Sequence, residues 1–283
     1  MSEAMPAVMQ VPLTPVSIST ITDARNVPYR GGGFGHRPLW IVGPLVFAVI
    51  IALWEFGSQY GFISKIALPA PSEAFAALAK LAKSGMLWVH LSASLKRLAV
   101  GWFFGTLLGV TAGMLIGLFS VARAGLSPLV SALFPIPKIA LLPLFIIWFG
   151  IGEGSKVATI LFGTFFPIVI ATYAGVDGVD RSLIRMGQSF GMSWSSIVRK
   201  IILPGALPAI LSGLRISASI GIILLVAAEM IGAEHGVGAY ILLAGSLMAT
   251  DQLIAGVALL SILGLTISWV IGRAEKYLLR WRA

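Results

Sequence analysis

Six stretches of the chain, about Leu39–Phe56, Ala99–Phe119, Leu126–Phe149, Val157–Ala174, Pro208–Ile231 and Leu253–Ile271, are almost wholly apolar. A helix rising 1.5 Å per residue crosses the hydrocarbon core of a bilayer in roughly 20 such residues, so each stretch is read as a membrane span. Composition agrees: 58% of the 283 residues are hydrophobic and 11% are charged. Soluble domains run at about a quarter charged. A chain so poor in charge cannot cover a water-facing surface, and the expected fold is an all-α membrane protein of about six helices. Pro135, Pro137, Pro143 and Pro167 interrupt the third and fourth spans, where neighbouring helices must satisfy the freed carbonyls.

Positive charge sorts by side. Arg25, Arg30, Arg37, Arg123, Arg181, Arg185, Arg199, Lys200, Arg273, Lys276, Arg280 and Arg282 fall on one side of this topology, with Arg215 near it. Lys65, Lys80, Lys83, Lys96, Arg97 and Lys156 fall on the other. The side richer in Lys and Arg is the cytoplasmic one, which puts both termini in the cytoplasm. The net charge of +9 is therefore read as a topology signal, and no nucleic-acid partner is expected. Residues 1–38 are polar and lack the apolar core of a signal peptide; they are expected to be a disordered cytoplasmic tail, with residues 39–283 as the membrane domain. The chain has no cysteine, which removes thiolate chemistry and sulfur-ligated metals. His36, His90 and His235 are scattered, one per region, and no metal site is expected.

Between the first two spans, Leu68-Pro69-Ala70-Pro71-Ser72 predicts a turn into a short helix with Ser72 as N-cap and Glu73 in its first turn. Its Phe75, Leu78, Leu81 and Ala82 form one apolar face, expected along the membrane surface. In the second span Gly101, Gly105, Gly109, Gly113 and Gly117 recur every four residues and share one helix face. Such a stripe predicts a tight helix–helix contact.

The longest cytoplasmic connection, about residues 175–207, carries the most functional information. A helix from about Ser182 to Phe190 is expected to stop at Gly191. Ser193, or the Ser195–Ser196 pair, can cap a second helix through Ile202. Leu203-Pro204-Gly205-Ala206-Leu207-Pro208 is then expected to break the chain before the fifth span. This unit has no catalytic group, yet it exposes Phe190, Met192 and Trp194, and that combination predicts a docking surface.

Gly191, nine residues, then Ile201-Ile202-Leu203-Pro204 resembles the G-x9-I-x-L-P half of the EAA loop in permease subunits of binding-protein-dependent ABC importers. Arg185-Met186-Gly187 stand where that pattern has Glu-Ala-Ala. Further matches are Leu68-Pro69-x-Pro71, Ser94-Leu95-x-Arg97, Trp148-Phe149-Gly150-Ile151-Gly152, Gly213-Leu214-Arg215, Ala227-Ala228-Glu229 and Ala249-Thr250-Asp251. Together they are similar to the taurine, alkanesulfonate and nitrate branch, and to taurine permeases above all. The resemblance implies a type I importer permease fold in a bacterial inner membrane, acting as a homodimer. It also implies two cytoplasmic ATPase subunits bearing ATP and Mg, and an extracytoplasmic solute-binding protein that delivers a small anion such as taurine, another sulfonate or nitrate. By the same resemblance Arg185, Gly187, Phe190, Gly191, Met192, Ser193, Trp194, Ile201, Leu203 and Pro204 form the surface that seats in an ATPase groove. The residues agree on one point: no G-x-x-x-x-G-K-[ST] phosphate loop occurs, since Gly152-Glu153-Gly154-Ser155-Lys156 has the wrong spacing. The chain is therefore expected to hold no cofactor and to be no enzyme, with ATP hydrolysed by a partner.

Intramembrane charges are costly and are functional candidates by default. Lys138, Arg215 and Glu229 are the candidates for the translocation pathway. A sulfonate stays ionised and needs fixed donors such as Lys138 or Arg215; a structural ion pair or carbonyl contact is the competing role for each. The turn Glu234-His235-Gly236-Val237-Gly238 opens an extracytoplasmic connection that could cap the cavity. Two other function classes compete. A secondary transporter or channel independent of ATP would show inverted repeats of broken helices, and Pro135–Pro143 has no counterpart in the other half. A membrane enzyme would need a nucleophile–base pair or a metal cluster.

Overall fold

The computed structural model describes residues 41–280. The expected tail 1–38, with Arg25, Arg30 and Arg37, and also Arg282, lie outside the described residues. Internal packing divides the chain after Val49, and the account below concerns the body from Ile50 onward. α1 (Val42–Gln59) runs across that division. Its second half closes on the turn that follows: Trp54 Nε1 donates to the Pro69 carbonyl and Ser58 Oγ to the Leu68 carbonyl, both at 3.0 Å.

α2 (Pro71–Lys83) begins earlier than a Ser72 cap would put it. Pro71 takes the first helical position, where its missing N–H leaves nothing unpaired, and Ala70 becomes the cap. Ser72 is thus inside the helix, and its N–H and hydroxyl donate to Glu55 at 3.0 and 2.7 Å. Glu73 accepts from the Ala70 N–H at 3.2 Å and from Lys65 at 2.6 Å; the Lys65 hydrogen bond first, and the Ala70 N–H second, hold its carboxyl below the usual range. The apolar face divides. Leu78 and Leu81 pack against Leu87, Val237 and Leu259, whereas Phe75 is exposed.

α3 (Met86–Leu118) is 33 residues long and starts well before the expected Ala99, because no Pro or Gly lies between Met86 and Val100 to stop it. α4 (Ser120–Leu133), a 3-10 turn at Lys138–Leu141 and α5 (Leu142–Phe149) replace the expected third span, with the two halves meeting at 93°. Pro135 and Pro137 remove two donors just past the last turn of α4, and the chain is extended at Pro137 (φ −63°, ψ 110°), which sets the break. α6 (Glu153–Asp177) runs on through Pro167. α7 (Arg181–Ser189) and α8 (Trp194–Ile197) form the loop, followed by α9 (Leu203–Met230), α10 (Val237–Ser246) and α11 (Thr250–Leu278). Among the described residues, five helices are thus long and apolar enough to cross a membrane, and the bent α4–α5 pair is the sixth element of that kind.

The expected break at Leu203–Pro208 does not occur. α8 passes through a π-type turn at Val198–Ile202 directly into α9, an unbroken helical run from Trp194 to Met230. A π turn opens the backbone by one residue, which gives the Pro204 ring room in the first turn of α9, where a donor is least missed.

The glycine stripe packs α3 on α6 with matched periods. A Cβ added at Gly101, Gly109, Gly113 or Gly117 would stand 2.7, 2.9, 2.5 or 2.7 Å from Ile160, Ile168, Thr172 or Val176, and one at Gly105 would meet Thr164 Oγ1. The five partners also recur every four residues, so two rows interlock along the seam. Arg123–Asp177 and Arg215–Glu275 ion pairs join α4 to α6 and α9 to α11 at the end of the body that carries most of the Lys and Arg.

Candidate functional site

Two regions carry the functional candidates, one at each end of the helices. At the Lys- and Arg-rich end, α7 and α8 meet in an elbow. Asp180 caps α7, accepting the Ser182 N–H at 2.8 Å, and this bond holds its carboxyl below the usual range. At the other end of α7 the Met192 N–H returns to the Gly187 carbonyl at 3.1 Å, which requires the left-handed φ of +69° at Gly191. Ser193 then caps α8, accepting the Ser196 N–H at 3.4 Å. The helix, the stop at Gly191 and the Ser193 cap all stand as expected.

The predicted loop residues divide into two sets. Phe190 is 78% exposed and Trp194 57%, and Arg185, Ser193 and Leu203 are also on the surface. Gly187 is buried, and Met192, Ile201 and Pro204 are half-buried. Met192 and Ile201 belong to the cluster of Val179, Ile197 and Ile202 that fixes the elbow. A Cβ at Gly187 would lie 2.9 Å from Ile201 Cδ1, so the small residue lets α7 close on the start of the long helix. Trp194 also packs against Phe119 with ring centres 5.6 Å apart and planes tilted by 40°, which ties the elbow to the end of α3. Phe190 and Trp194 thus form an exposed apolar tip on a packed base, the kind of patch that marks an interaction surface.

The three intramembrane candidates do not meet one another. Lys138 Nζ donates to the carbonyls of Leu133, Phe134 and Ile136 at 3.0, 2.5 and 2.8 Å and lies 4.7 Å from the centre of the Phe166 ring. It supplies donors to the last carbonyls of α4, which the 93° bend leaves open. It also lines a cavity of about 250 Å³ with Pro137, Gly163, Pro167 and Leu224. Arg215 pairs with Glu275 on α11.

Glu229 is completely buried at the opposite end, near the C-terminus of α9. Its carboxylate accepts from Ser94 Oγ at 2.8 and 2.9 Å, from Arg97 Nη1 at 2.7 Å and from the Gly238 N–H at 2.9 Å. Ser94 Oγ in turn accepts the Val237 N–H at 2.9 Å, and His90 Nδ1 accepts the Gly236 N–H at 3.1 Å. Glycine is required here because a Cβ at Gly236 or Gly238 would stand 2.5 or 2.9 Å from Glu229. Arg97, 5% exposed, also donates Nε and Nη2 to the two oxygens of Glu153 at 2.7 and 2.6 Å, and Nη1 to the His235 carbonyl at 2.6 Å. One guanidinium thus joins α3, the start of α6, the end of α9 and the turn into α10. Lys156 beside it donates to the carbonyls of Ile151, Gly152 and Gly232.

Ser94, Arg97 and Glu153 were not among the expected pathway residues. Arg97 and Lys156 read as span-end charges, because their helices are expected to begin only at Ala99 and Val157 and instead begin at Met86 and Glu153. The available signal was the buried carboxylate itself, which needs a cation from the same end of the helices. His90 and His235, scattered in the sequence, come together with ring centres 5.9 Å apart.

Comparison with known proteins identifies the class. The family described as "binding-protein-dependent transport system inner membrane component" matches residues 105–282. The chain is 37% identical over 243 residues to the putative aliphatic sulfonates transport permease protein SsuC of Bacillus subtilis, covering 86% of this chain and 88% of that one. It is 37% identical over 239 residues to the taurine transport system permease protein TauC of Escherichia coli, covering 83% and 87%. Among solved structures, a chain from inward-facing conformations of the MetNI methionine ABC transporter superposes with a TM-score of 0.59 at 23% identity, covering 69% of this chain and 98% of that one. A chain of an amino acid ABC transporter matches with a TM-score of 0.57 at 18% identity, covering 71% and 97%. The chain belongs to the inner membrane components of binding-protein-dependent transport systems, and its fold is that of type I ABC importer permeases.

Proposed function

We propose that the chain forms the translocation path for a small organic sulfonate, taurine or an alkanesulfonate, with nitrate as a further oxyanion of the same branch. Two copies pair in a bacterial inner membrane. Two ATPase subunits, which carry the ATP and Mg, bind them from the cytoplasm, and an extracytoplasmic binding protein delivers the solute. Relatives of nearly full length named for taurine and aliphatic sulfonates support the cargo. The single observation that carries the coupling is the α7–Gly191–α8 elbow, whose exposed Phe190 and Trp194 sit on a rigid apolar base. The end bearing Arg181, Arg185, Arg199, Lys200, Arg273 and Lys276 is the cytoplasmic one by the charge rule, which sets the elbow before an ATPase and Glu229 toward the binding protein. Lys138, Arg215 and Glu229 remain the candidates beside the path.

The test is uptake of labelled taurine into proteoliposomes that hold this permease with its ATPase and binding protein. Accumulation that needs both ATP and the binding protein is expected. Accumulation that proceeds without ATP would overturn the reading in favour of a secondary transporter or channel.

A further inference from the structure

We propose that the guanidinium fork of Arg97 is a binding site for a small monovalent oxyanion, and that Glu153 fills this site when the anion is away. The inference rests on the sulfonate reading for the name of the anion, and on geometry for the site.

Arg97 holds two carboxylates of opposite character. Glu229 is 0% exposed and is fixed by Ser94 and by the Gly238 N–H as well as by Arg97 Nη1. It cannot leave without stranding the Gly238 N–H and the Ser94 hydroxyl. Glu153 is 66% exposed and is held, among the described residues, by the fork formed by Nε and Nη2. It can swing into water at little cost, since an exposed carboxylate is well solvated. A sulfonate is tetrahedral, but any two of its three oxygens can accept from Nε and Nη2 side by side, so it can span the fork in Glu153's place.

The surroundings favour the exchange. A cavity of about 660 Å³ opens on the fork, and its wall carries Lys96, Lys156 and His235 together with the carboxylate of Glu234. Lys156 is 2% exposed, and its three donors go to carbonyls, so its charge remains in the wall. With Glu153 displaced, Lys96, Arg97 and Lys156 stand against Glu229 and Glu234, leaving one positive charge, the complement of a sulfonate group's single negative charge. The site is also at the N-terminus of α6, whose backbone dipole favours an anion. The chain thereby carries its own surrogate for the anion, which keeps Arg97 paired between visits.

The experiment uses the permease with its ATPase subunits in nanodiscs, titrated calorimetrically with methanesulfonate in a chloride buffer free of sulfonate buffers. Removing the resident charge with Glu153→Gln is expected to tighten binding roughly tenfold or more over the unaltered protein. Adding Arg97→Lys, which keeps the charge and loses the fork, is expected to abolish that gain. Equal affinity with and without Glu153→Gln, in complexes that still take up solute, would overturn the site. ATP-driven taurine uptake without methanesulfonate binding to either protein would also overturn it, leaving the cargo reading intact. Tightened methanesulfonate binding in a system that takes up no sulfonate would support the site and remove the cargo reading.

Discussion

At Glu229 the cost of burying a carboxylate is offset by the Arg97 charge and the hydroxyl and amide donors around it. Removing one side of such a pair leaves the other charge buried without compensation. Glu229→Ala is therefore expected to destabilise the protein by roughly 3–5 kcal/mol, read as a fall in Tm of the detergent-solubilised chain. Glu229→Gln should cost less, because it keeps the shape and one acceptor. Lys138 poses a different question, since its ammonium serves three carbonyls at the α4 bend. Lys138→Met keeps the length and removes the donors, and a loss of about 1–3 kcal/mol is expected. Uptake per folded molecule separates the two roles: an unchanged value assigns Lys138 to the bend, and a collapse with Tm preserved assigns it to the path. Both residues were legible as unusual in the sequence, because a charge in an apolar run is costly wherever it lies. Their partners were not, because carbonyls and a helix start thirteen residues before Ala99 leave no mark in composition.

Among elements, the seam between α3 and α6 is the most legible feature and also the most sensitive. Five glycines at a spacing of four announce a close contact. Their partners Ile160, Thr164, Ile168, Thr172 and Val176 share the same spacing but merge into an apolar stretch, so only the fold identifies them. Gly109→Ala would place a Cβ 2.9 Å from both Ile168 and the Phe165 carbonyl. It is expected to cost about 1–3 kcal/mol by overpacking, measured by thermal unfolding. Gly125→Ala is the control: nothing lies within 4 Å of its Cβ, and Tm should hold or rise slightly. Prolines were less informative. Pro135 and Pro137 mark a real break, yet Pro204 and Pro208 mark none: the π turn absorbs the misfit of Pro204, and α9 runs on through Pro208.

For the whole molecule, the two ends differ in kind. One end holds a rigid apolar elbow with basic neighbours, the other a buried polar knot beside a cavity. On the proposed coupling role, force delivered at the elbow would reach the knot through α3, α6 and α9, which run between them. Gly191→Val tests that transmission, since a β-branched residue is strained at a φ of +69°. The expected result is a complex that still inserts and hydrolyses ATP but accumulates little solute; near-normal coupled uptake would remove the elbow from the coupling route. The interlocked seam also bears on how the protein is made. Ile160 follows Gly101 by 160 − 101 = 59 residues, which at about 5–20 residues per second is roughly 3–12 seconds of translation. During that interval the glycine face of α3 has left the ribosome while its partner is still being synthesised. The insertion machinery must therefore hold α3 apart from lipid or other helices until α6 arrives, and a chain truncated before Glu153 would expose that face to the proteases that clear orphan membrane helices.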